Sequence, residues 1–169
     1  MEPRRLVLVR HAQAADGAVD VDRPLTGLGR QRAAAIGRWL VDAGLVPDRV
    51  LLSPARRARQ TWAQAGAQLP GEPEPVVDER IYDNAVEALF TVLREVADDG
   101  PVLALVGHNP SLAELVAALD DGSGDPAVRE RLDDGLPTGS VVVLGLGTGS
   151  YADLAPGSAT LEQLTVPGT

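Results

Sequence analysis

Only two histidines occur in this chain of 169 residues, and each directly follows a short apolar run: Leu6 to Val9 leads into Arg10-His11, and Val102 to Val106 into Gly107-His108. A third run, Val50 to Leu52, leads into Ser53-Pro-Ala-Arg-Arg57, which opens a helix. Ligands of an open parallel sheet bind in the crevice beyond the carboxyl ends of its strands, so two histidines 97 positions apart can face one another there. A lone histidine is ordinarily a satisfied core or surface residue. Three coincident strand ends make that reading insufficient. One arginine beside a histidine and another in the first turn of a helix point to an anion site, because guanidinium forks and unpaired helix N-terminal amides both select phosphate. The chemistry these residue types suit is the binding of a phosphoryl group.

The elements that must position them follow from the apolar pattern. Leu6–Val9, Val50–Leu52, Val102–Val106 and Val141–Leu144 read as buried strands. Between them, Gly29 to Ala43, Pro54 to Leu69, Val86 to Val96 and Pro110 to Leu119 have helical spacing. Alternating strand and helix predicts an α/β fold: a three-layer α/β/α sandwich on a mostly parallel central sheet with an antiparallel edge strand, the tail Gly145 to Thr169 adding one or two edge strands. Gly44 is placed to close the first helix, while Pro54 and Pro110 suit first-turn positions. Loops are expected at Gln13 to Pro24, Leu69 to Pro75 and Asp120 to Gly139, each rich in Gly, Pro or Asp. A chain of this length and apolar content is expected to form one domain spanning 1–169.

Composition narrows the chemistry further. Cysteine is absent, which excludes disulfides, thiolate metal sites and cysteine nucleophiles, and two histidines alone make a tight transition-metal site improbable. All 15 basic residues are arginine, so neither a P-loop lysine nor a Schiff base is available. A net charge of −9 argues against nucleic acid and anionic membranes as partners. A net positive balance is confined to residues 1–62, with eleven arginines against six acids. Nothing at the N-terminus reads as a signal peptide or a membrane span, so the expectation is a soluble, cytoplasmic protein.

Four segments resemble, in order, the motifs of the histidine phosphatase superfamily, the phosphoglycerate mutase-like proteins. They are Leu6-Val-Leu-Val-Arg10-His11-Ala12, Arg23-Pro-Leu-Thr-Gly-Leu-Gly29-Arg-Gln31, Ser53-Pro54-Ala-Arg-Arg57-Ala58-Arg-Gln60-Thr61 and Val106-Gly-His108-Asn-Pro110. Leu136-Pro-Thr-Gly-Ser140 is similar to the family's late segment. The compact length, Arg-His-Ala and Gly-His-Asn-Pro resemble most the bacterial phosphohistidine phosphatases. Ala12 departs from the commoner glycine of the first motif.

The resemblance implies that His11 attacks phosphorus, that Arg10, Arg57 and His108 bind the phosphoryl oxygens, and that neither cofactor nor metal takes part. It selects Arg57 over Arg56 and Arg59, which otherwise read as a solvated helix face, and it leaves Ser53 as a helix cap. Attack needs a neutral imidazole, and the adjacent arginine is expected to lower the His11 pKa from about 6.5. Members acting on alkyl phosphates use an acid to protonate the leaving oxygen. Glu79 is the choice here, ahead of Asp78 and of Asp16, Asp20 and Asp22 in the first loop. A phosphohistidine substrate makes less demand on an acid, because imidazole can leave as a neutral heterocycle.

Other patterns do not hold. Asp20-Val-Asp22-Arg-Pro24 is superficially similar to an aspartyl-phosphatase motif but follows no buried strand, and Gly145-Leu-Gly147-Thr-Gly149 lacks the helix a dinucleotide loop requires. Three readings of function stay open: a phosphatase for phosphohistidine or a small phosphomonoester, a metabolite phosphomonoesterase of the same superfamily, and a noncatalytic phosphate- or phosphoprotein-binding module. The partner is accordingly a phosphorylated small molecule or a phosphohistidine-bearing protein.

Overall fold

The computed structural model describes residues 2–97 and 100–169. Six strands form one sheet: β1 (Arg4–Arg10), β2 (Arg49–Leu52), β3 (Pro75–Val77), β4 (Val102–Gly107), β5 (Val141–Gly147) and β6 (Thr160–Thr165). Their spatial order is β3-β2-β4-β1-β5-β6. β3, β2, β4 and β1 run parallel. The antiparallel edge is formed by two strands, β5 pairing antiparallel with β1 and β6 antiparallel with β5.

Alternation along β1 explains the layers, since successive side chains point to opposite faces of a sheet. Leu6 and Leu8 enter one core with α3 (Val86–Arg94) and α4 (Ser111–Leu119), whereas Val7 and Val9 enter another with α1 (Gly27–Asp42) and α2 (Arg56–Gly66). Burial on both faces is why Leu6–Val9 of β1 and Val102–Val106 of β4 are unbroken apolar runs. Each fully buried Leu or Val contributes about 1.5–3 kcal/mol.

Two expectations need correction. Asp120 to Gly139 is not wholly a loop, since α5 (Pro126–Asp133) lies within it, started by Asp125, whose side chain accepts from the Ala127 amide at 2.9 Å, and by Pro126 in the first turn. The segment after Leu69 ends in β3, a short edge strand whose Val76 and Val77 are half exposed. Helix limits also shift: α2 begins at Arg56, after Pro54, and Pro110 precedes the first residue of α4.

Helix α2 is set against α1 by a close approach at Gly37. A Cβ there would collide with the Ala65 carbonyl and come within 2.9 Å of Gln68 Cβ. Gly37→Ala is therefore expected to destabilise the fold by about 1–3 kcal/mol through overpacking. Urea unfolding checks this; an unchanged midpoint would mean that α1 and α2 can part at no cost.

Candidate active site

The parallel pairing of β1 with β4 places Arg10 opposite Gly107, so the residues that follow, His11 and His108, emerge side by side. The His11 amide donates to the Gly107 carbonyl at 3.1 Å, and the two imidazole centroids lie 5.3 Å apart. β2 adds Ser53 from the other side of β4, with its amide on the Val106 carbonyl at 3.2 Å. Helix α2 then delivers Arg57. All four side chains are buried: His11 7%, Ser53 0%, Arg57 7% and His108 4% exposed.

The partners of each imidazole bear on its tautomer. Nδ1 of His11 lies 2.8 Å from the Ala12 carbonyl, which can only accept, so Nδ1 carries the proton and Nε2 keeps the lone pair. Nε2 of His108 lies 2.7 Å from Ser53 Oγ. That hydroxyl accepts from the Ala55 amide at 3.3 Å and still has its own proton to give; given to His108 Nε2, it puts the ring proton on Nδ1. Nδ1 of His108 is buried without a partner among the described residues, and so are Nε of Arg10 and Nε of Arg57. Three buried polar groups of this kind beside one pair of imidazoles make a cup suited to an oxyanion.

Arg10 is anchored from Nη1 to the Leu136 carbonyl at 2.6 Å, which Asn109 Nδ2 also reaches at 3.1 Å. The Gly139 amide bonds the carbonyls of Arg10 and His11 at 3.1 and 2.9 Å, in a left-handed conformation (φ 79°) that suits glycine. Thr61 of α2 accepts from the Ala12 amide at 3.0 Å and donates to the Arg57 carbonyl at 2.7 Å, tying the turn after β1 to the arginine helix. Ala12 is fully buried and packs with Leu25 and Ala33, so its methyl group fits here.

Desolvation governs the electrostatics. Burial, more than any charge, lowers the His11 pKa to about 4; Arg57, then Arg10, add to it. The expected direction therefore holds, but the adjacent arginine is not its main cause. His108 is lowered to about 3, again first by burial and then by His11 and Arg57. Both rings are neutral near neutral pH.

At the rim, Asp20 accepts from Tyr82 Oη at 2.6 Å, from Arg23 Nη1 at 3.1 Å and from Arg57 Nη2 at 3.1 Å, while its carbonyl accepts from Arg57 Nη1 at 2.8 Å. The Tyr82 hydrogen bond first, then Arg23, holds this carboxyl well below the usual carboxylate range. The Tyr82 ring stands edge-on to His108, centroids 5.8 Å apart. Glu79, by contrast, is exposed, and its carboxylate enters none of the described hydrogen bonds or ion pairs. The structure thus brings Arg10, His11, Arg57 and His108 together and leaves Glu79 outside the described contacts of the site, while Tyr82 and the contact of Ser53 with His108 are features that the sequence pattern does not signal.

Comparison with known proteins agrees with this geometry. Residues 6–89 match the model of the histidine phosphatase superfamily (branch 1). Phosphohistidine phosphatase SixA of Escherichia coli is 33% identical over 126 residues, which span 72% of this chain and 78% of that protein. This chain belongs to the histidine phosphatase superfamily. Another relative of this histidine phosphatase, the uncharacterized protein Rv1276c of Mycobacterium tuberculosis, is 38% identical over 162 residues, 94% of this chain and 99% of that protein. The solved structure of a candidate SixA phosphohistidine phosphatase from Nakamurella multipartitia has a TM-score of 0.85 at 32% identity, covering 100% of this histidine phosphatase and 99% of that chain. No helix among the described residues is long and apolar enough to cross a membrane.

The depressed imidazoles give the histidine phosphatase a pH-dependent stability of defined sign. In the unfolded chain both histidines take up protons near about pH 6.5, while the native rings resist until about 4 and 3. Below about pH 6.5 the unfolded chain therefore binds more protons, and this stability, complete above that pH, falls as pH drops, by up to about 1.4 kcal/mol per unit for each ring. Urea unfolding of the protein and of a His11→Asn, His108→Asn double variant checks this. The protein should lose stability faster than the variant on acidification between about pH 6.5 and about pH 4, and parallel losses would contradict it.

Proposed function

We propose that this protein is a phosphohistidine phosphatase that works through a covalent phosphohistidine on His11. The observation that carries the reading is the set of three buried, unpartnered donors, Arg10 Nε, Arg57 Nε and His108 Nδ1, gathered at the neutral His11 ring. A phosphoryl group offers three oxygens to such donors and a phosphorus to the Nε2 lone pair. Nε2 bonds to phosphorus as the bond to the leaving group breaks; water then hydrolyses the His11 adduct to inorganic phosphate, regenerating the ring. Charge on the transferred group is met by guanidiniums and an imidazole, so the proposed cycle needs no metal.

The leaving group favours phosphohistidine over alkyl phosphates. An alkoxide must be protonated as it departs. The acidic side chain in contact with this cup, Asp20, is held anionic, and Glu79 makes no described contact with it. An imidazole protonated at its distal nitrogen departs neutral and needs no acid. The likeness to SixA proteins supports the same choice.

Assays with phosphohistidine, an aryl phosphate and an alkyl phosphate test the reading. Phosphohistidine should be the best substrate, with activity retained in EDTA. His11→Ala should abolish turnover, a loss of at least about a thousandfold, and Arg57→Ala should cost about a hundred- to a thousandfold as a lost oxyanion donor. Preferential turnover of the alkyl phosphate, dependent on Glu79, would instead favour a metabolite phosphomonoesterase. Tight phosphate binding without turnover would identify a binding module.

A further inference from the structure

A carboxylate at the mouth of an anion site is a physical puzzle, because it repels the phosphoryl group that the rest of the cup attracts. Asp20 is not there by accident of a loose loop. The first loop is pinned by Ala15 N on the Pro24 carbonyl at 2.8 Å, Thr26 N on the Gln13 carbonyl at 3.1 Å, and Leu25 N on the α2 side chain Gln60 at 2.8 Å. Its 3₁₀ turn, Asp20–Asp22, then lies over the start of α2.

The side chain of Asp20 is 52% exposed, whereas those of His11, Arg57 and His108 are buried. It therefore stands between the cup and solvent, on the side from which the non-transferred part of a substrate must project. Its two oxygens are unequally used: Oδ2 accepts from both Tyr82 and Arg57, and Oδ1 accepts from Arg23 alone. A carboxylate oxygen can take two hydrogen bonds, so Oδ1 keeps one acceptor position.

We propose that Asp20 is a specificity-determining residue that favours cationic leaving groups, accepting at Oδ1 a hydrogen bond from the protonated distal nitrogen of a substrate phosphohistidine ring. The inference rests on the phosphohistidine reading of the site. A fixed anion there keeps the proton on the distal nitrogen, so that the ring enters as an imidazolium. As His11 Nε2 bonds to phosphorus, the phosphorus–nitrogen bond breaks, its electron pair stays on the substrate ring, and a neutral imidazole departs with the proton it brought. No proton crosses to or from Asp20. The same charge disfavours leaving groups that carry carboxylates or further phosphates.

Asp20→Asn removes the charge but keeps a carbonyl oxygen for the rim hydrogen bonds, and Asp20→Glu keeps the charge. The probes are phosphoimidazole and p-nitrophenyl phosphate, whose nitrophenolate leaves without a proton. The measured quantity is kcat/KM, which covers every step up to departure of the leaving group. In Asp20→Asn the ratio of phosphoimidazole to p-nitrophenyl phosphate should fall about tenfold, the ~1.4 kcal/mol of one charge-assisted hydrogen bond, and Asp20→Glu should recover part of it. An unchanged ratio, whether both activities fall together because Asp20 merely braces Arg57 or neither moves, overturns the proposal, and so does a ratio that rises. Failure of the unaltered protein to hydrolyse phosphoimidazole at all would instead overturn the phosphohistidine reading beneath it.

Discussion

The register between β1 and β4 is the constraint on which the rest depends. Pairing Arg10 with Gly107 sets two histidines 97 positions apart into the same gap at the sheet's carboxyl edge. A slip of one residue would turn Leu6, Val7, Leu8 and Val9 to the wrong faces and separate the rings, so two apolar cores and the site are held by the same pairing. The late segment clamps this arrangement, with Gly139 on the β1 end and the Leu136 carbonyl fixing Arg10 and Asn109.

Burial then converts position into chemistry. The sheet edge keeps both imidazoles out of water, which makes them neutral more effectively than the neighbouring guanidiniums do. The same burial favours an oxyanion as partner for the guanidinium and imidazole donors there. Backbone and hydroxyl partners engage one nitrogen of each ring and leave the other to the cup: Ala12 leaves His11 with a lone pair on Nε2, and Ser53 occupies Nε2 of His108 and leaves Nδ1. Nucleophile and oxyanion donor are thus the same residue type, distinguished by a single hydrogen bond each.

Much of this was legible in the sequence, for identifiable reasons. β1, β2, β4 and β5 are buried on both faces and so appear as apolar runs, and Arg10, His11, Arg57 and His108 stand just beyond three of them. β3 and α5 were not seen because neither has a buried face: Val76 and Val77 are half exposed, and α5 buries none of its residues. The Asp125-Pro126 start was the signal available for α5. Ser53 was underestimated because a serine before a helix ordinarily signals a cap, and its bond to His108 crosses 55 residues of chain. That Asp20, and not Glu79, contacts the site depends on the first loop folding back onto α2, which follows from long-range contacts such as Gln60 with Leu25.

A single covalent bond is the centre of this account, from His11 Nε2 to the transferred phosphorus. Mass spectrometry of the protein mixed briefly with phosphoimidazole and quenched at alkaline pH, where phosphohistidine survives, tests it most directly. The account predicts one phosphoryl group on the peptide carrying His11. Phosphorylation of His108 instead, or steady turnover with neither histidine labelled, would contradict it.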